Sequence, residues 1–163
     1  MPVQLSLDEI RAVTAYAVAC AEPALALVGD DPRPRAAIDT ARAFAAGAGR
    51  TKALRDVAWA AHRAAREASD ASAREAARAA GHAAGAAFLH PLATATQVGH
   101  ILGAAASATL ALGDDGHLER CRDLAPPVVV DVLRRYPPAP PGYGRAGELM
   151  RALDAALRSG TPT

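Results

Sequence analysis

Four histidines fall within one stretch of the chain, His62, His82, His90 and His100. Neutral imidazole is a common metal ligand and offers one donor and one acceptor, so these rings are the side chains here best equipped for chemistry. If they converge from the three successive helices on or beside which they lie, they make a small-ligand or metal site, with enzymatic use left open. The spacing does not compel convergence. No His-x-x-x-His or Glu-x-x-His pair exists, and the inward glutamates of a ferritin-like di-iron bundle are missing. Histidines hydrogen-bonded in the core or at its rim are the alternative.

A second set shares His62. Arg55, Trp59, His62 and Arg66 recur at i, i+4, i+7 and i+11, one stripe along a single helix. Tryptophan and arginine are enriched among binding anchors, so this stripe is the candidate surface for a protein partner. The alternative is a partly buried Trp59 with arginine stacked on its face. Catalytic signatures are absent: there is no phosphate loop, dinucleotide fingerprint, nucleophile elbow or zinc-protease helix. The sequence therefore calls for no catalytic residue and no cofactor, and a binding protein is preferred over an enzyme. Cys20 and Cys121 are the only cysteines, too few for a disulfide framework, and read as small apolar fillers of helices.

The elements that must position these residues are helical. Ser6-Leu7-Asp8-Glu9 has the capping-box form and opens a helix whose apolar face runs from Leu7 to Val28, with a kink expected at Pro23. Asp31 caps a second helix with Pro32 at its first position, and Thr51 caps a third. Ser72-Ala73-Arg74-Glu75, a second capping box, opens a fourth helix to about Leu89. His90-Pro91 closes it, and a central, alanine-rich fifth helix is expected over about 92–112. A short helix follows from about His117 to Leu124. The run Val128-Val129-Val130 also reads as helix, because no second strand exists to pair with it. Residues 136–144 form a proline-rich connector, then an amphipathic terminal helix begins, and 159–163 should fray. Gly81-His82-Ala83-Ala84-Gly85 is echoed by Gly99-His100-Ile101-Leu102-Gly103. Two glycines four apart clear one helix face, which predicts close packing of the fourth and fifth helices.

The expected fold is thus all-α, one helical domain over 1–163 with about six to seven helices around a buried Ala/Gly-rich centre. Alanine supplies about a quarter of the 163 residues and aromatics 4%, so volume must be filled by close helix approach. A net charge of +1 lacks the basic excess of a nonspecific nucleic-acid binder. Residues 79–113 carry no charge, yet Pro91, three histidines and weakly hydrophobic alanine and glycine argue against a membrane span. Asp8 and Glu9 stand where a secretory signal would be basic, so a cytoplasmic location is expected.

Three segments together resemble a known family: Asp31-Pro32-Arg33-Pro34-Arg35-Ala36-Ala37-Ile38-Asp39-Thr40-Ala41-Arg42-Ala43-Phe44, Ala60-Ala61-His62-Arg63-Ala64-Ala65-Arg66-Glu67 and Ala79-Ala80-Gly81-His82-Ala83. Over about Cys20 to Ala106 the chain resembles the immunity-five-like group of small helical bacterial immunity proteins, common in actinobacteria. The resemblance implies a protein that binds and neutralises a toxin partner, with no catalytic residue to carry over. His62 and His82 match positions of the group. Its further histidine, six residues beyond His82, is Phe88 in this chain. Some members carry an exonuclease-subunit label, but this sequence has no phosphate loop or metal-binding carboxylates for nuclease work.

Overall fold

The capping box forms as the sequence predicts. Ser6 Oγ accepts the Glu9 N–H at 3.1 Å and the Glu9 carboxylate accepts the Ser6 N–H at 2.9 Å, launching α1, Leu7–Ala21. In the computed structural model, which describes residues 2–160, α1 ends at Ala21, two residues before Pro23. There the chain tightens into a 3-10 turn over Glu22–Val28, because proline has no N–H to continue the ladder. Leu7–Val28 is 22 residues long and contains an 18-residue window with a mean hydropathy of 1.3, long and apolar enough to cross a bilayer by composition alone. Here its apolar face, including Ile10, Val13, Ala17 and Leu25, lies in the core.

Asp31 accepts the Arg33 N–H at 3.0 Å and starts α2, Pro32–Ala45. Then follow α3, Lys52–Glu67, and α4, Ala71–Gly85. The cap of α4 is Asp70, which accepts the Ala73 N–H at 2.8 Å. Ser72 is therefore inside the helix, and Glu75, expected to reach back to it, instead pairs with Arg78. Beyond Gly85 the chain tightens into a 3-10 turn, Ala86–Phe88.

The fifth helix starts later than the sequence suggests. Leu92 is drawn into a lone antiparallel bridge with Pro2, and a 3-10 turn over Ala95–Gln97 precedes α5, Val98–Leu112. Eleven of its fifteen residues are buried, in keeping with a central helix. The remainder is α6, Gly116–Leu124, α7, Pro127–Arg134, and α8, Gly144–Ser159, which makes eight α-helices and no strand among the described residues, against the six to seven expected. The valine run is helical. Of the expected frayed tail 159–163, Ser159 still closes α8, and residues 161–163 lie outside the described residues.

α4 and α5 share the most extensive interface, with α3 and α2 against α4 and with α8 and α6 against α5, while α1 crosses both central helices. A polar knot lies inside this packing. Tyr16 donates to the Cys121 carbonyl at 2.9 Å, and His117 Nε2 stands 2.8 Å from the Cys20 carbonyl and 3.4 Å from Cys121 Sγ. Hydrogen bonding with Cys20 and His117 holds the Cys121 thiol below its usual range, whereas Cys20, hydrogen-bonded to it and buried, is pushed up. The two cysteines are free and buried, and their backbone carbonyls tie α1 to α6 by accepting from His117 and Tyr16.

Candidate functional site

α3, α4, α5 and α8 enclose a half-open cavity of about 460 Å³. Three of the four histidines singled out in the sequence line it: His62 from α3, His82 from α4 and His100 from α5. His90 does not. It is exposed at the loop after α4, where its carbonyl accepts the Tyr136 hydroxyl at 2.7 Å and its N–H donates to Gln97 at 2.9 Å.

The glycines explain how the rings fit. A Cβ on Gly81 would stand 2.7 Å from His62 Nε2, and one on Gly103 would stand 3.0 Å from the His82 ring. Around Gly85 the fit is looser, 3.8 Å to His100 Nδ1, and around Gly99 nothing lies within 4 Å. The two repeats therefore do not chiefly bring backbones together, as the sequence suggested. Gly81 and Gly103 clear seats for imidazoles of the neighbouring helix, so each ring lies flush with the wall it faces. The His62 and His82 rings meet edge to face, with centroids 5.2 Å apart and planes at 78°.

All three rings are held neutral. Burial, then repulsion from His62, His100 and Arg78, brings His82 down to about 3. Burial followed by the charges of Arg78 and Arg66 lowers His62. Burial also lowers His100, against the hydrogen bond to the Gly85 carbonyl that favours its charged form. Since that carbonyl accepts only, Nδ1 of His100 is the donor at 3.0 Å, which leaves Nε2 with its lone pair. Among the described residues no group of three or more His, Cys, Asp or Glu side chains is arranged to hold a metal ion. His62, His82 and His100 stand at the cavity as neutral rings, each able to give one hydrogen bond and accept another.

The opposite wall is α8 and the connector before it: Met150, Ala146, Pro140 and Tyr143. α8 clamps that connector in place. Buried Asp154 accepts the Ala139 N–H at 2.9 Å and Arg158 Nε at 2.7 Å. Arg151 donates to the Pro140 and Gly142 carbonyls, and Arg158 to those of Tyr136 and Pro137. Gly147 touches the connector so closely that a Cβ would stand 1.9 Å from the Gly142 carbonyl oxygen. Sequence reasoning named the connector but not this wall, because its partners lie five to twenty-two residues apart across a turn and no local pattern pairs them.

The Arg55, Trp59, His62 and Arg66 stripe divides. His62 turns inward to the cavity, while Arg55, Trp59 and Arg66 are exposed, Trp59 at 60%. Among the described residues no arginine stacks on the indole. Arg55 lies instead over Phe88, 5.1 Å from the ring centroid, so the position where the resembling group has histidine serves as a platform outside the cavity. The two acidic residues of α3 are already paired, Asp56 with Lys52 and Glu67 with Arg33. Arg55, Arg63 and Arg66 have no ion pair among the described residues, which leaves a cationic face around an exposed indole.

These features define a helical protein with an imidazole-lined cavity and, on one flank of it, an aromatic and cationic surface built on a rigid helix. Residues 4–124, about three quarters of the chain, match the model of the Imm-5 like putative immunity protein family, and the chain belongs to that family. Nothing matches among curated proteins or among solved structures.

Proposed function

We propose that the protein is a non-catalytic, cytoplasmic binding protein that neutralises a toxin partner by engaging it with the exposed flank of α3. The observation that carries this reading is Trp59, 60% exposed mid-helix between two unpaired arginines, Arg55 and Arg66. An indole at such exposure adds nothing to the core, and its removal from water on binding rewards a partner instead. Arg55 is pre-ordered by its stack on Phe88, so less freedom is lost when it pairs. The partner surface that fits is an acidic groove with an apolar floor. Family membership supports the toxin assignment, since immunity proteins act by binding the toxin they neutralise.

The test is affinity capture from the source organism, followed by expressing the captured partner with and without this protein. Rescue of growth by the wild-type chain, lost on combined replacement of Arg55, Trp59 and Arg66 by alanine, supports the reading. Rescue indifferent to those replacements contradicts it.

A further inference from the structure

The toxin-binding reading leaves the cavity without a role, although the fold invests two closely fitted glycine seats and a clamped connector in it. From its lining we infer that this cavity binds a small carboxylate with an apolar body that carries one hydrogen-bond donor. Its volume of about 460 Å³ is that of a small-molecule site, enclosed on one side by neutral rings and on the other by Met150 and Ala146.

The charge of the ligand follows from what lines the space. No acidic side chain is among the fourteen lining residues, and Arg78 is the one cation. Glu75 pairs with Nη1 of Arg78, while Nε and Nη2 have no hydrogen-bond partner among the described residues, so the guanidinium can bridge Glu75 and a ligand carboxylate in the paired geometry it favours. His62 and His82 are neutral and offer one N–H each, which suits an anion without adding the cost of a second buried charge. The donor on the ligand follows from His100, whose Nδ1 is committed to Gly85 and whose Nε2 can only accept. The apolar body follows from the alanine, glycine, proline and methionine that make up most of the rest of the wall.

The mouth is built as well. Tyr143, 70% exposed at the rim, holds a left-handed conformation (φ 63°) between Gly142 at 91° and Gly144 at 58°. A bulky residue in that region is strained and persists only where its surroundings impose it. Here Arg151 holds the Gly142 carbonyl, 2.8 Å away, and the Gly147 N–H holds that of Tyr143 at 3.0 Å.

The probes are indole-3-acetate and its neutral amide, titrated calorimetrically into the full chain at neutral pH. The acid should bind at least about tenfold more tightly than the amide. Arg78→Gln should erase that preference and leave the affinity for the amide unchanged. Gly99→Leu, which places a side chain in open space, should abolish binding of both probes while the melting temperature holds; this variant keeps the test valid if Arg78→Gln fails to fold. Trp59→Ala should leave acid binding intact, which separates this site from the toxin-binding face. Equal affinity for acid and amide, no binding of the acid up to about 5 mM, or an acid preference that survives Arg78→Gln would each overturn the inference.

Discussion

Replacing Gly81 by alanine tests the seating of the histidines with one methyl group. In an open helix interior the change stabilises by about 1 kcal/mol, because alanine loses less conformational freedom on folding. At Gly81 the new Cβ would stand 2.7 Å from His62 Nε2 and 2.8 Å from Cε1, well inside van der Waals contact. Such overpacking costs about 1–3 kcal/mol. The ring must rotate off its seat, and the expected net effect is a loss of about 1 kcal/mol, or about 2–4 °C in melting temperature for a chain of this size. In a His62→Ala background the obstacle is gone, so the same methyl should stabilise by about 1 kcal/mol. The double-mutant cycle, read by urea denaturation, should thus give a coupling of about 2 kcal/mol. If Gly81→Ala changes stability by the same amount and sign in both backgrounds, the imidazole is not seated on the glycine and the construction of the cavity given above is wrong.

Stability should also report the buried rings through pH. His82 drops from 6.5 to about 3 on folding, so its contribution is complete above the unfolded value and is lost as pH falls toward the folded one. The slope approaches about 1.4 kcal/mol per pH unit below pH 6, and His82→Asn should flatten it; His117, whose pKa is raised, acts in the opposite sense, so an unflattened slope assigns the effect elsewhere. Asp154 is 3% exposed and bonds both Ala139 and Arg158, so Asp154→Ala should cost about 2–3 kcal/mol in chemical denaturation and loosen the cavity wall. A cost below about 0.5 kcal/mol would mean that the clamp does not hold the connector.

The helices were legible because their signals are local. The capping box at Ser6, the Asp31-Pro32 start and the three- to four-residue apolar steps each lie within one or two turns. Some boundaries shifted locally, as where Asp70 caps α4 in place of Ser72, but the largest shift is decided from afar: α5 begins late because Leu92 pairs with Pro2, ninety residues earlier in the chain. The candidate site divides in the same way. Helical spacing placed Arg55, Trp59 and Arg66 on one exposed stripe, but it could not reveal that His62, on the same stripe, turns inward to meet Gly81. The Gly-His echo was visible, yet its physical content, an imidazole from one helix filling the space of a missing Cβ on the next, exists only once α3, α4 and α5 are packed. The wall formed by Met150 and Pro140 had no sequence signal, since it depends on where α8 docks.

The claim that matters most is that the α3 face binds the partner. It is tested by the affinity of the captured toxin for the wild-type chain and for Trp59→Ala, measured alongside the melting temperature of each. With the indole 60% exposed, its truncation should leave the melting temperature unchanged while a central anchor worth about 2 kcal/mol or more is lost, weakening binding at least about thirtyfold. An affinity unchanged within about twofold, with the fold intact, would contradict the account.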